Sequence, residues 1–323
     1  MKTTKIGILG AGAVGLTIAA QLSRVADVYA VCRPRHARAI STEGFTRTGI
    51  WGEETLTFPC GEELPEGPYD YLIISCKSTE TRAICEEYAD RFGEADIVSL
   101  QNGIGNEEII GEYTEHVIGG LIITGFEWQG DAAVNVSVEV GPAQFGGFPR
   151  GTDTAVEKLV NLFCAAGVNS VATERIRGEL WGKALYNCSL NPLGALMEVP
   201  YGALEEPHAW AIIEKIVGEV FAVAKARDVL LSWETPDDYL TYLRDTQMPV
   251  SKAHHSSMYQ DLKRERPTEI DFMNGAVVVF GRECGIATPV NETLTSLIKF
   301  RETLLGITRK TDISSGSTSQ EQS

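Results

Sequence analysis

Lys183, Asn187 and Asn191 lie in the stretch LWGKALYNCSLNPLGAL, residues 180–196, which is otherwise mostly apolar and helix-forming. Their i, i+4, i+8 spacing turns a helix by only about 40° per step, so the three polar side chains share one narrow stripe. Such a stripe suits chemistry at a carbonyl. A hydride delivered to a ketone carbon puts negative charge on the oxygen, which must be stabilised or protonated. An ammonium can do both. Burial near an apolar helix lowers a lysine pKa toward a useful range, and a substrate carboxylate pushes it back up. Each asparagine offers two donors and an acceptor, fitting a carboxylate or hydroxyls without adding charge. The alternative, a solvated polar face, fits poorly, because one lysine and two asparagines are a thin covering for a surface helix. Pro192 removes a backbone donor and is expected to bend the helix.

A hydride needs a donor, and the N-terminus offers a place to hold one. Gly10-Ala11-Gly12-Ala13-Val14-Gly15 fits G-x-G-x-x-G, with a strand pattern before it (about Lys5 to Leu9) and a helical pattern after it. The first glycine serves a tight turn, the second lets backbone approach a pyrophosphate, and the third lets helix pack on strand. A merely tight strand-to-helix turn is the structural alternative. The second strand runs into VCRPRHAR, so Arg33, Arg35 and Arg38 stand where an NAD-binding protein usually offers a carboxylate. An arginine there can fork onto a 2′-phosphate, which favours NADPH; Arg33 is the best placed, and Arg35 and Arg38 read equally as solvated. Lys77 follows a later strand, and Gln101 and Asn102 follow the next. Both are at the strand ends where open α/β sheets bind ligands, although a surface lysine and a turn-forming Asn-Gly explain them as well.

The elements required around these residues set the fold class. Strand and helix patterns alternate through the first half, implying a doubly wound, mostly parallel sheet of Rossmann type. Residues 133–148 alternate in period two, suggesting an antiparallel edge. After Glu174 strand signals stop, so the second half is expected to be an all-helical domain. The boundaries read as 1–172 for the dinucleotide domain, 173–308 for the helical domain and 309–323 for a polar, Ser-rich disordered tail. With 323 residues, two domains of roughly 100–200 residues are expected. The net charge of −16 argues against nucleic-acid and anionic-membrane partners, but not against a small anion captured by local cations. Seven scattered cysteines without C-x-x-C spacing suggest free thiols in a reducing, cytoplasmic setting and no zinc site. Cys188, beside the stripe, reads as a small buried hydrophobe. The adjacent His254 and His255 point different ways and make a poor metal pair, so no metal is expected.

The order GAGAVG, CKS, QNGIGN, GKALYNCSLNPLGAL and HHSSMYQDLKRERPTEIDFMNGAVV resembles the ketopantoate reductase (2-dehydropantoate 2-reductase) family over nearly the whole chain. The resemblance implies a Rossmann domain, a helical domain, an active site between them, and NADPH-dependent reduction of ketopantoate on the route to pantothenate and coenzyme A. It implies that Lys183 is the general acid, that Asn187, Asn191 and Ser257 bind substrate, and that Glu269 completes the site. It also places Asn102 at both cofactor and substrate, and Lys77 at the cofactor. By spacing alone, Glu269 is a first-turn dipole partner, Thr268 with Asp271 forms a capping box, and Ser256 and Ser257 are N-cap residues. Tyr201 departs from the family pattern, which has an asparagine there that helps hold substrate. That departure bears on which acid is reduced more than on the reaction. A related reductase of another 2-oxo acid is the alternative, and a non-catalytic NADPH-binding sensor a further one. A homodimer is allowed only by analogy with other helical second domains.

Overall fold

The computed structural model describes residues 3–307, so the expected tail at 309–323 lies outside the described residues. The chain divides into two compact units at the Trp181–Gly182 link.

The first unit is built on an eight-stranded sheet. Its strands are β1 (Lys5–Leu9), β2 (Asp27–Val31), β5 (Cys60–Gly61), β6 (Tyr71–Ile74), β7 (Asp96–Ser99), β8 (Val117–Leu121), β11 (Ala143–Gly147) and β12 (Ser170–Ala172). Their order is β12-β11-β8-β7-β6-β1-β2-β5, and every neighbouring pair is parallel except β11 against β8. Consecutive side chains of a strand point to opposite faces, and here both faces are covered. Ile6 and Ile8 of β1 and Tyr71 and Ile73 of β6 enter one core, while Leu9, Leu72 and Ile74 enter the other. That explains why these strands read as continuous apolar runs rather than alternating ones.

Helix α1 (Ala13–Leu22) is buried from Gly15 to Leu22 without a solvent-exposed face. The reason is a second sheet, of order β4-β3-β10-β9, formed by β3 (Phe45–Gly49), β4 (Glu54–Leu56), β9 (Thr124–Gly130) and β10 (Ala133–Glu139). Phe45 and Val134 of this sheet share the core that holds Leu16, Ile18 and Leu22. Residues 133–148 were expected to be an edge of the main sheet; they are two strands in different sheets. The period-two part, β10, pairs parallel with β3 and antiparallel with β9, and only β11 joins the main sheet. Its half-buried pattern arises because it borders the core on one face only. The remaining helices of this unit are α2 (Pro34–Glu43), α3 (Thr81–Tyr88), α4 (Asn106–Ile110) and α5 (Thr154–Ala165), the last capped by the Asp153 carboxylate accepting from Val156 N–H at 2.9 Å.

Helix α6 (Ile176–Met197) starts in the first unit, where a Cβ on Gly119 would lie 2.8 Å from Ile176 Cγ1, and continues into the second. The second unit then contains α7 (Pro207–Ala226), α8 (Pro236–Tyr242), α9 (Met248–Ser251), α10 (Ser257–Lys263), α11 (Asn274–Cys284) and α12 (Pro289–Leu304). Pro192 does not break α6. The carbonyl that loses its donor is that of Cys188, four residues earlier. Asn274 Nδ2 donates to that carbonyl at 3.1 Å and to Asn291 Oδ1 at 2.9 Å. Asn291 in turn donates to Glu219 at 2.7 Å, so one polar chain stitches α6, α11, α12 and α7 together inside an apolar interior. Cys188 itself is fully buried, and burial pushes its thiol pKa up. No helix among the described residues is long and apolar enough to cross a membrane.

Candidate active site

In the first unit the glycine turn links β1 to α1 beside β6. Gly10 has φ of +65°, and a Cβ there would sit 2.4 Å from Cys76 Cβ, so glycine is required. A Cβ on Gly15 would meet Ser75 Oγ at 2.2 Å, which is how α1 presses so closely on the end of β6. Gly12 is different: nothing lies within 4 Å of its Cβ position, leaving backbone open to approach at the start of α1. That helix has no side-chain cap and no acidic residue in its first turn. Its leading N–H groups and positive dipole end therefore suit a dinucleotide's diphosphate. The cradle fits the expected cofactor.

Arg33 is exposed, in extended conformation, as the residue preceding α2. Arg35 faces the Asp131 carboxylate at 3.6 Å with both side chains about half exposed, whereas Arg33 stands two residues past the end of β2. Lys77 and Asn102 follow β6 and β7, and a buried polar network ties their two loops together. Ser78 Oγ donates to the Asn102 carbonyl at 2.6 Å, and Asn106 Nδ2 donates to the same carbonyl at 2.9 Å. Thr81 Oγ1 donates to Asn106 Oδ1 at 2.8 Å and accepts from Gln101 Nε2 at 2.8 Å. Gln101, which spacing offered as a ligand-facing residue, is instead buried in this network with its NH2 also reaching the Cys76 carbonyl.

In the second unit Lys183 and Asn187 are half-buried on α6. Crowding around the Lys183 ammonium pushes its pKa down to about 8, opposed by attraction to the Glu269 carboxylate. A lysine held there is charged at neutral pH yet gives up its proton readily, as a proton donor to a nascent alkoxide must. Glu269 precedes a short 3-10 turn, Ile270–Phe272. The expected capping box is not formed, because the backbone N–H and hydroxyl of Thr268 both donate to Glu302 Oε1, at 2.7 and 2.6 Å. Ser256 caps α10 by accepting from Tyr259 N–H at 3.0 Å, and Ser257 is the exposed first residue of that helix.

Asn191 departs from the expected rail. It is 2% exposed, and its Oδ1 accepts from the Tyr201 hydroxyl at 2.6 Å while its Nδ2 faces Met273 Sδ at 3.7 Å. Tyr201 is 3% exposed and packs edge-on against Tyr186 with ring centroids 5.6 Å apart. As arranged, the polar stripe that faces outward is Lys183 and Asn187. Sequence reasoning marked Tyr201 as unusual but not its bond to Asn191. It also missed Ser78, Thr81 and Asn106, although Asn106 stands in the QNGIGN motif.

The sequence profile described as "Ketopantoate reductase PanE/ApbA" matches residues 6–150, and that described as "Ketopantoate reductase PanE/ApbA C terminal" matches residues 175–302. The chain belongs to the ketopantoate reductase family. Ketopantoate reductases are NADP-dependent oxidoreductases, in keeping with the open cradle at Gly12 and the arginine after β2. A 2-dehydropantoate 2-reductase of Aquifex aeolicus is 32% identical, over 92% of this chain and 97% of its own. One from Pyrococcus horikoshii is 31% identical over 94% and 99%. Among solved structures, a PanE/ApbA family ketopantoate reductase from Ralstonia eutropha superposes with a TM-score of 0.84 at 28% identity, covering 94% of this chain and all of that one. D-mandelate dehydrogenase, solved with NADH and anilino(oxo)acetate, gives a TM-score of 0.83 at 25% identity with the same coverage.

Proposed function

We propose that the protein reduces a branched 2-oxo acid with NADPH, ketopantoate being the leading substrate and pantoate its product. The observation that carries this reading is the Lys183 ammonium on α6, with its pKa pushed down to about 8 and the Glu269 carboxylate attracting it, one helical turn from the half-exposed Asn187 amide. NADPH, when bound, supplies the hydride. Lys183 stabilises the developing negative oxygen and donates its proton to it. Asn187 orients the acid through its carboxamide, and Ser257 adds a hydroxyl at the start of α10. Glu269 keeps Lys183 charged until the transfer. The backbone at Gly10, Gly12 and Gly15 receives the diphosphate, Arg33 selects the 2′-phosphate, and Lys77 and Asn102 position the cofactor from the loops after β6 and β7.

The test is NADPH oxidation by the purified protein with ketopantoate, 2-oxoisovalerate and pyruvate in parallel, repeated with Lys183→Ala. Turnover of a branched acid that collapses in the variant while NADPH still binds is the expected result; unchanged turnover in the variant defeats the mechanism. A second reading, reduction of a bulkier or aromatic 2-oxo acid, is favoured by the aromatic cluster of Tyr186, Tyr201 and His254, and anilino(oxo)acetate belongs in the same panel.

A further inference from the structure

The polar stripe on α6 ends at a tyrosine. Measured along the helix axis, Asn187 lies about 6 Å and Asn191 about 12 Å from Lys183. At that end the polar groups already satisfy one another. The Tyr201 hydroxyl donates to Asn191 Oδ1 at 2.6 Å, and burial holds the phenol well above its ordinary range, so it keeps the proton it donates. The Asn191 NH2 faces the thioether of Met273 at 3.7 Å. The tyrosine is fixed on every side. Its N–H donates to the His254 carbonyl at 3.0 Å, the following N–H of Gly202 donates to the Lys252 carbonyl at 2.9 Å, and its ring lies against Tyr186 and His254. Tyr186 is itself anchored by donating to Ser251 Oγ at 3.0 Å.

We propose that Tyr201 is a specificity-determining residue: by donating its hydroxyl to the carboxamide oxygen of Asn191 and covering it, Tyr201 weakens and screens the acceptor that would read a hydroxyl on the substrate's side chain. The enzyme then accepts branched 2-oxo acids with and without that hydroxyl nearly alike. The physical contrast is large. A site built to hydrogen-bond a substrate hydroxyl rejects the analogue lacking it by about 10⁴-fold or more, because its own polar groups are left unpaired. A site whose polar groups are already paired internally has no such penalty to impose.

This inference rests on the reductase reading above, and a matched pair of substrates separates the two. Ketopantoate and 3,3-dimethyl-2-oxobutanoate differ only in one hydroxyl group. The experiment measures kcat/KM for both acids, with NADPH, in the wild type and in Tyr201→Phe. In the wild type the two values are expected to agree within about tenfold. Tyr201→Phe frees Asn191 Oδ1 while keeping the ring, and is expected to shift the ratio toward ketopantoate by about tenfold, the size of one hydrogen bond. A merely structural loss lowers both acids alike and leaves the ratio where it was, which overturns the proposal. A wild-type preference for ketopantoate above about 100-fold overturns it without any variant. Silence with both acids overturns the branched-acid reading of the substrate instead, and with it this proposal.

Discussion

Replacing Lys183 by methionine should make the protein more stable and almost inactive. The ammonium lies where crowding pushes its pKa from 10.5 down to about 8. Between those two values the unfolded chain holds a proton that the folded chain has released, so stability rises with pH in that window and the whole cost is present below pH 8. Each tenfold change in acidity is worth about 1.4 kcal/mol, which makes the cost about 3 kcal/mol, trimmed to about 2–3 by the side chain's residual contact with solvent. Methionine keeps most of the stem and carries no charge. Urea unfolding at pH 7.0 should therefore show Lys183→Met stabler than the wild type by about 2 kcal/mol, and at pH 9.5 that gap should shrink by most of its size. The attraction to Glu269 titrates with the same proton and is already contained in the value of about 8, whereas effects that do not vary with pH, such as altered packing of the stem, enter both measurements equally. Turnover should fall by about 10²–10⁴-fold, the usual contribution of a general acid. A gap that is the same at both pH values, or a variant less stable at pH 7.0 than at pH 9.5 relative to wild type, refutes the placement of the ammonium.

Arg33→Asp should exchange cofactor preference: the KM for NADPH rises by about tenfold or more as a charge-assisted contact is replaced by repulsion, while that for NADH falls or holds. An unchanged NADPH/NADH ratio would move the 2′-phosphate elsewhere. Glu107 is 1% exposed, and burial pushes its pKa up to about 7, so folded stability falls as pH climbs from about 4.5 to 7. Glu107→Gln should flatten that part of the profile and gain about 3 kcal/mol by pH 8, read from urea midpoints at pH 5 and pH 8; parallel profiles for the two proteins would contradict it. Asn274→Ala withdraws the donor from the Cys188 carbonyl and from Asn291, and should lower stability by about 2–3 kcal/mol, visible as a Tm loss of several degrees. An unaltered Tm would mean that the carbonyl beneath Pro192 finds another donor.

What the sequence displayed was local or periodic. The glycine turn showed itself because strand, turn and helix are contiguous, and each of its glycines meets a different neighbour in space. The mostly parallel character of the sheet around it was legible from the alternation of strands with helices and from apolar runs, which the structure covers on both faces. The second sheet was not visible, because β10 finds β3 across a separation of nearly ninety residues, and a half-buried strand looks the same at a sheet edge as in a small sheet of its own. Thr268 followed by Asp271 has the spacing of a capping box, but Glu302, thirty-four residues away, takes both Thr268 donors. Lys183 and Asn187 were legible because four residues make one turn. Asn191 obeyed the same spacing, yet the short 3-10 helix that begins at Tyr201 folds back over it, and no periodicity reports that return.

The amide of Asn274 under the kink-prone turn at Pro192 has an evolutionary consequence. A proline in a helix is ordinarily a local matter, yet here its missing hydrogen is made good by a residue more than eighty positions away. The two positions are coupled through one hydrogen bond. In lineages that exchange Pro192 for a residue with an N–H, Asn274 is released from one of its two duties and is free to drift toward small or apolar side chains. Where the proline persists, a side chain with two hydrogens to give and of asparagine's short reach is the stabler choice at 274. Substitution records of the two positions should therefore move together.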